Sequence, residues 1–218
     1  MTGAGNDIVA LAVINATRTW QPNFYSKIIL PAEQELYRAE FEDKLPFEHF
    51  VWLAWSVKES VYKFLQKKTP DLVFSPSKII IKRLKSPQLP ARSAKLSEGR
   101  GFECVPAYEG EVTFGNETLY SRSLIDMDFI FSTVNLNDNF TNTYWGIKQI
   151  ASSDPAYQSH EARALLVSRL NDLLKSTNIR IGKSPLGWPV AIKNETELPL
   201  PVSLAHHDKY VAYSFQLK

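Results

Sequence analysis

The chain has 218 residues, of which 44% are hydrophobic, so it can bury a sizeable core without disulfide bonds or structural metal ions. Its 25 basic and 23 acidic residues nearly balance, which argues against a dedicated nucleic-acid-binding protein with a strongly basic surface. The single cysteine, Cys104, excludes an intramolecular disulfide and, with four scattered histidines, gives no zinc-ligand spacing. No apolar run approaches the length of a membrane helix. We therefore expect a soluble, cytoplasmic protein that does not associate with membranes.

The first part of the chain combines short strands with two helices. A β-branched run at 7–14 predicts a strand buried on both faces, in the centre of a sheet. Pro31 starts one predicted helix, which ends near Glu42, because proline suits the first helical turn. Pro46 starts a longer helix, which has apolar residues every three or four positions and ends near 67–68. A loop is predicted at 86–101, and strands at 77–84, 102–106, 110–114 and 123–134.

The rest of the chain repeats this order. A strand at 144–150 and a helix at 156–175 precede predicted strands at 179–181, 189–192 and 210–217. The segments that start at Ser123 and Ser203 share Ser-Leu, a three-residue gap, Asp and an aromatic strand, although chance could explain so short a match. We predict an α+β fold built as a tandem pseudo-dimer, with a first half at 1–137 and a second half at 138–218. The turn-rich run Asn135-Leu136-Asn137-Asp138-Asn139 suits the seam.

The longer helix of the first half carries a polar face. Trp55, Glu59 and Lys63 follow one another at four-residue intervals and so project together, with Lys58 beside them. An exposed Glu–Lys ion pair is the ordinary explanation of this spacing. Asp7, at the mouth of the first strand, could likewise serve a turn. If that strand packs on the helix, however, Asp7 and Glu59 converge into an oxygen site that suits Mg²⁺. Lys63 and Lys58 could then neutralise phosphate charge, and the substrate would be a phosphate anhydride.

Two polar corners near the end of the chain could contribute anion contacts. Gly187-Trp188-Pro189 predicts a constrained turn before a strand, and Ser203-Leu204-Ala205-His206 predicts another. Ordinary turns explain both segments. The functional alternative is that the Ser203 hydroxyl and the His206 imidazole donate hydrogen bonds to a phosphate oxygen. No glycine-rich phosphate loop is present, so a P-loop or dinucleotide-binding fold is not expected.

The stretch from Lys78 to Arg100 is the main basic segment. Its cations are set against a single acid, Glu98. They are Lys78, Lys82, Arg83, Lys85, Arg92, Lys95 and Arg100. A solvated loop explains such a segment, but it could also steer an acidic protein partner or a nucleotide phosphate.

Four motifs together resemble those of the 4′-phosphopantetheinyl transferase superfamily. The family's Gly-x-Asp-Ile/Val strand reads Gly5-Asn6-Asp7-Ile8-Val9 here, and its Trp-x-x-Lys-Glu-x-x-x-Lys helix spans 55–63. Its Gly-Lys/Arg-Pro turn reads Gly187-Trp188-Pro189, and its Ser-x-Ser-His turn reads Ser203-Leu204-Ala205-His206. The chain departs from the family pattern at Trp188, at Ala205, and at Val9, where larger relatives have a third acidic residue. The motif order resembles the small holo-acyl-carrier-protein synthases, and the length resembles the larger two-half enzymes.

The resemblance implies an Mg²⁺-dependent enzyme that moves phosphopantetheine from coenzyme A to a serine of an apo acyl or peptidyl carrier protein. It implies Asp7 and Glu59 as metal ligands and Glu59, Lys63 and Lys58 as catalytic residues. The implied coenzyme A contacts are Lys63, Lys58, Ser203, His206, Gly187 and Pro189. The site would lie between the two halves of one chain, so we expect a monomer. The resemblance does not indicate which biosynthetic pathway the carrier protein serves.

Two other functions fit the same residues. A module of this fold could bind coenzyme A or a carrier protein without turnover, in view of Trp188 and Ala205. A small RNA-binding domain could instead use the basic segment. Only the transferase would add phosphopantetheine mass to a carrier protein.

Overall fold

The structure is a computed structural model that describes residues 3–88, 98–102 and 104–217. The helices are α1 (Ala16–Thr19), α2 (Pro22–Tyr25), α3 (Pro31–Glu40), α4 (Phe47–Leu65) and α5 (Pro155–Leu174). The first six strands are β1 (Gly5–Ala10), β2 (Ile79–Lys85), β3 (Glu98–Arg100), β4 (Tyr108–Phe114), β5 (Glu117–Ile125) and β6 (Phe129–Asn135). The others are β7 (Thr143–Gln149), β8 (Ile179–Lys183), β9 (Pro189–Lys193), β10 (Thr196–Glu197), β11 (Val202–His207) and β12 (Tyr210–Gln216).

These strands form three antiparallel sheets. A five-stranded sheet has the order β1-β6-β5-β4-β2, a four-stranded sheet the order β11-β12-β7-β3, and a three-stranded sheet the order β10-β9-β8. Helix α4 packs on the first sheet, and α5 packs against the second. The predicted α+β class is therefore confirmed. None of the described helices is long and apolar enough to cross a membrane.

Helix α4 forms where the sequence predicted a long amphipathic helix. Its N-cap is Pro46, and the cap at its other end is Gln66. The buried stripe packs mainly against β1 and β6, since side chains three and four positions apart share one helix face. Its fully buried apolar members are Phe50, Val51, Leu53, Ala54, Val57, Val61, Phe64 and Leu65. The stripe fixes which face of α4 is left for the polar side chains.

The predicted first strand needs correction. It starts at Gly5, two residues earlier than expected, and leaves the sheet after Ala10 in a 3₁₀ turn at 11–13. The prediction of a central strand is wrong, because β1 is an edge strand that pairs only with β6 in its sheet. All six of its residues are nevertheless buried. Strands β11 and β12 of the second sheet lie against β1 and cover it.

Three other predicted elements differ from the structure. The predicted strand at 102–106 is not a strand in the residues described there; Phe102 instead stacks on Trp145, with ring centroids 5.6 Å apart. The stretch 123–134 is a hairpin, because the backbone N–H of Asp126 bonds to Phe129 O and turns the chain. The predicted loop at 86–101 contains β3 at its end, and its middle, 89–97, lies outside the described residues.

Gly5 permits an unusually close approach between β1 and α4. A Cβ atom at this position would collide with the backbone carbonyl oxygen of Ser60 and would lie 2.8 Å from the backbone N of Phe64. Helix backbone cannot move aside as a side chain can. The glycine of the first motif is therefore required by packing.

We predict that Gly5→Ala lowers the free energy of unfolding by about 3 kcal/mol, since overpacking against rigid backbone lies at the upper end of its usual cost. Urea denaturation measures this change. Gly115→Ala is the control: its added Cβ meets nothing within 4 Å, so only its φ of +56° matters, at about 1 kcal/mol. Equal losses for the two variants would contradict the packing explanation.

Candidate active site

Three predicted residues converge where β1 meets α4. The Nζ atom of Lys63 lies 3.1 Å from Asp7 Oδ1 and 3.1 Å from Glu59 Oε1. The Asp7 side chain is only 6% exposed, whereas those of Glu59 and Lys63 are 27% and 23% exposed. The lysine thus joins a buried carboxylate to one that reaches solvent. The Glu59–Lys63 pair is not merely a solvated ion pair, because Asp7 is part of it.

Burial makes a negative charge on Asp7 costly, so a cation beside this carboxyl group is favourable. Burial raises the pKa of Asp7 to about 7, although Lys63 opposes the shift and Glu59 adds to it. Burial alone would lower the pKa of Lys63, but the two carboxylates outweigh this effect and raise it. Lys63 is therefore a firmly protonated cation between two acids. Among the described residues, Asp7 Oδ2 has no hydrogen-bond partner.

Asp7 and Glu59 fit a magnesium ion that takes few protein ligands. Asp7 offers a buried carboxylate oxygen that has no partner among the described residues, and Glu59 contacts the same lysine as Asp7. Within the described part of the chain, no three His, Cys, Asp or Glu side chains group closely enough to hold a metal by themselves. Mg²⁺ commonly binds one or two protein carboxylates and completes its shell with water and substrate phosphates. The two carboxylates of Asp7 and Glu59 match this pattern of coordination.

The second sheet meets β1 through side chains. The backbone N–H of Asn6 donates to Ser203 Oγ over 3.1 Å, and that of Ala10 donates to His207 Nδ1 over 2.9 Å. Burial lowers the pKa of His207, in keeping with a neutral ring that accepts at Nδ1. The predicted Ser-Leu-Ala-His turn is thus wrong in one respect, since it lies within strand β11. Its first residue, Ser203, connects the two sheets.

A cavity of about 280 Å³ lies between α4, β11 and the turn after β8. It brings together four predicted residues, Lys63, Ser203, Gly187 and Pro189, together with Gln66, Lys67, Leu186, Trp188 and Leu204. The predicted turn is present: Ser184 N bonds to Trp188 O, and Gly187 has a φ of +96°, which favours glycine. Cations thus face apolar walls across one opening, an arrangement suited to an anion attached to an organic group.

His206 lies near this cluster but does not line the cavity. Its side chain is exposed, and desolvation and repulsion from Lys63 lower its pKa, while Glu59 opposes the shift. Asp7 and Glu59 also lie outside the cavity lining. The ion-paired cluster and the cavity share Lys63.

The structure separates Lys58 from the other predicted residues. Its side chain is fully buried, and its Nζ atom lies 2.7 Å from Glu33 Oε2 and donates to Ile28 O over 2.7 Å. Burial lowers the pKa of Lys58, and Glu33 partly offsets this effect. The prediction that Lys58 neutralises substrate phosphate therefore needs correction, because the ammonium group faces Glu33 in the core. Lys58 occupies a structural position next to Glu59.

We predict that Lys58→Met destabilises the protein by about 3–5 kcal/mol, because it leaves Glu33 charged and unpaired in the core. Lys58→Met/Glu33→Gln should recover part of the loss, since the amide carries no charge. Chemical denaturation measures both variants, and Lys44→Met, at an exposed lysine, should stay within about 0.5 kcal/mol of the parent. Full stability of Lys58→Met would refute the structural role.

Sequence reasoning missed Lys67 and the contact of His207 with β1. Lys67 continues the four-residue series of Trp55, Glu59 and Lys63, so the helical period itself could have identified it. Its Nζ atom donates to Ala4 O and to Val202 O, over 2.6 Å each. His207 carried no comparable signal, because its contact with β1 depends on recognising β11 as a strand.

Trp55 lines a different cavity, one helical turn from Glu59. This groove, of about 570 Å³, has the aromatic side chains Phe24, Trp52, Trp55 and Phe74 in its walls. Two exposed cations, Arg18 and Lys27, also line it. Trp55 packs edge-on against Phe74, with ring centroids 5.2 Å apart. The groove is therefore apolar inside and carries two positive charges.

Ala205 and Trp188, two departures from the family motifs, have different surroundings. Ala205 is only 2% exposed and packs in the core between the sheets. Trp188 is half-buried and forms part of the cavity wall. Ala205 thus contributes to core packing, and Trp188 shapes the opening of the 280 Å³ cavity.

Most of the described cations of the basic segment lie on β2 and β3, and none of the described ones lines the 280 Å³ cavity. Lys82, Arg83 and Lys85 are on β2, the edge of the first sheet opposite β1. Arg83 pairs with Glu111 over 3.2 Å, and Arg100 donates to Thr141 O. Arg92 and Lys95 lie outside the described residues.

Comparison with protein families confirms the resemblance drawn from the motifs. Residues 3–103 match the family model of the 4′-phosphopantetheinyl transferase superfamily. The chain therefore carries a segment of that superfamily, and the segment contains Asp7, Glu59 and Lys63. The cavity residues of the second sheet lie beyond it. Comparison with curated proteins found no match, and comparison with solved structures found none either.

Proposed function

We propose that the protein transfers phosphopantetheine from coenzyme A to a serine of an apo carrier protein. The observation that carries this proposal is the convergence of Asp7, Glu59 and Lys63 beside a cation-lined cavity. All three residues fall in the segment that matches the superfamily. The cavity is about 280 Å³, and its combination of lysines with Trp188 suits a diphosphate joined to an organic group.

We also propose that the chain is a tandem pseudo-dimer that works as a monomer. In support, β7 lies beside β12 and β12 beside β11, as β1 lies beside β6 and β6 beside β5. Ser123 pairs with Ser132 in the first hairpin, and Ser203 pairs with Ser214 in the second. The boundary at residue 138 falls in the connection between β6 and β7. The cluster on β1 and α4 and the wall on β11 then come from different halves.

The reaction replaces a phosphoanhydride bond of coenzyme A by a phosphate ester bond on the carrier. The serine oxygen of the carrier forms a bond to the phosphorus next to the pantetheine, and the bond from that phosphorus to the bridging oxygen breaks. Adenosine 3′,5′-bisphosphate leaves with that oxygen and its electron pair. The serine proton passes to Glu59, the partly exposed carboxylate of the cluster, directly or through water. Glu59 is assigned this role because its side chain is partly exposed and an incoming hydroxyl can reach it, whereas Asp7 is buried.

The other residues bind and orient the diphosphate. Lys63 supplies a fixed positive charge where negative charge grows on the leaving group. Ser203 keeps its hydroxyl proton free to donate, because its oxygen accepts from Asn6 N. His206 is proposed to contact a phosphate of coenzyme A from the exposed rim. Asp7 and Glu59 would hold Mg²⁺, which when bound polarises phosphoryl oxygens.

We predict that the protein adds phosphopantetheine to an apo carrier protein in the presence of coenzyme A and Mg²⁺. Glu59→Gln should lower kcat by about 10²–10⁴-fold, the usual contribution of a general base. Intact-mass spectrometry of the carrier measures the product. Glu117→Gln is the matched control, because its carboxylate pairs with Lys68 in an exposed ion pair.

Several carrier proteins should be offered, since the pathway is not specified. If the protein is folded and none of these carriers gains the mass of phosphopantetheine, the transferase proposal is wrong. Coenzyme A binding without transfer would favour the non-catalytic module instead. Full activity in Glu59→Gln would leave the transferase intact but remove the proton-accepting role.

We further propose that the carrier protein docks at the groove beside Trp55. The groove starts about one helical turn, or 5–6 Å, from Glu59 along the same face of α4. Its aromatic walls suit an apolar side chain, and Arg18 and Lys27 suit a carrier protein with an acidic surface. The basic segment on β2 is the alternative docking surface.

Charge reversal separates these two surfaces. Arg18→Glu should raise the KM for the carrier protein by about tenfold, equivalent to about 1.4 kcal/mol, and leave kcat unchanged. Lys82→Glu reverses an exposed cation on β2 and should leave both constants unchanged. Steady-state kinetics at low salt measures the difference. A rise in KM for Lys82→Glu alone would assign docking to the basic segment.

A further inference from the structure

Lys67 connects two distant parts of the chain. Its ammonium group donates to Ala4 O, just before β1, and to Val202 O, the first residue of β11, at 2.6 Å each. Such charge-assisted bonds are stronger than neutral ones. They lie beside the contact from Asn6 N to Ser203 Oγ. One side chain in the turn that follows α4 thus ties the first sheet to the second.

The same ammonium group has a donor left for a ligand. A protonated lysine carries three N–H groups, and the two carbonyls use two of them. Lys67 also lines the 280 Å³ cavity, four residues after Lys63, which lines it too. The third N–H has no acceptor among the described residues, and the side chain that carries it lines the cavity.

We propose that Lys67 binds the anion that enters this cavity and thereby couples occupancy of the cavity to the contact between β1 and β11. The inference rests on the proposed function, in that the anion is taken to be the diphosphate of coenzyme A. An anion shared by Lys63 and Lys67 offsets the repulsion between two neighbouring cations. It also strengthens the two bonds from Lys67 to the carbonyls, because a fully charged ammonium is the better donor.

The electrostatic surroundings of Lys67 support this role. Burial, and next the positive charge of Lys63, lower the pKa of Lys67 to about 7. Lys63 in turn interacts with Asp7 on β1, Glu59 on α4 and His206 on β11, whereas the turn Leu186–Pro189 contributes no charged side chain to the cavity. Since the pKa of Lys67 in the unfolded chain is near 10.5, protonated Lys67 costs folding stability below pH 7. Binding of an anion that keeps Lys67 protonated is therefore accompanied by proton uptake at pH values above about 7.

Isothermal titration calorimetry with inorganic pyrophosphate tests the proposal without requiring transfer. Lys67→Met should weaken binding at pH 7 by about tenfold, through the loss of one charged donor. Lys67→Arg, which keeps a charge and several donors, should stay within about twofold of the parent. Lys68→Met is the matched control: this neighbouring lysine pairs with Glu117 on the surface and should leave affinity unchanged.

Two further measurements go beyond affinity. At pH 7.5 the parent should take up part of a proton from the buffer on binding, and Lys67→Arg should lose that uptake, because its guanidinium is already charged. Amide hydrogen exchange of Val202–His207 should slow when pyrophosphate is added to the parent. In Lys67→Met it should not. Both Lys67→Arg and the parent remain testable if Lys67→Met fails to fold.

The outcomes separate this inference from the proposed function. Pyrophosphate binding that is absent from the parent, or unchanged in Lys67→Met, overturns the inference, whereas carrier modification by the parent would still support the transferase. Conversely, a parent that binds pyrophosphate through Lys67 but modifies no carrier retains the inference and loses the transferase.

Discussion

The buried ion pair between Lys58 and Glu33 sets the rotation of α4, and the rest of the site depends on that rotation. Each carboxylate oxygen of Glu33 is also used: Oε1 accepts from Ile81 N and Oε2 from Leu30 N. Turning the helix would separate two charges in the core. Successive helical residues point about 100° apart, so fixing Lys58 inward directs Glu59 to the open side. Helix α3, strand β2 and helix α4 are thereby held in a single arrangement.

The open side of α4 gains its chemistry from two other elements. Strand β1 presents Asp7 to Lys63, and the absence of a side chain at Gly5 brings the strand close enough for that contact. Strand β11 meets β1 through Ser203 and His207. Because β1 is an edge strand, one row of its backbone groups has no neighbouring strand, and these two side chains accept hydrogen bonds from the N–H groups of Asn6 and Ala10 in that row. The pair of carboxylates that fits a metal and the cation-lined cavity thus meet at Lys63 on α4.

The helical part of this site could be predicted from the sequence, and the sheet part could not. The period of α4 indicated that Glu59 and Lys63 share a face, and the family resemblance directed attention to Asp7. The period does not distinguish Lys58 from Lys63 by burial, because the partner that draws Lys58 inward, Glu33, lies 25 residues away. The edge position of β1 follows from pairing with β6, more than 120 residues later, and local patterns carry no such information.

The register of the two hairpins has a consequence for stoichiometry. Asp7 on β1 pairs with Ser132 on β6. In the second hairpin, Trp145 on β7 pairs in the same way with Ser214 on β12. Trp145 is fully buried, and its ring N–H donates to Gly101 O. If the halves are related as proposed, Trp145 is the second-half counterpart of Asp7, and its indole packs in the core where a second carboxylate would otherwise stand. Each chain would then hold one equivalent of coenzyme A, not two.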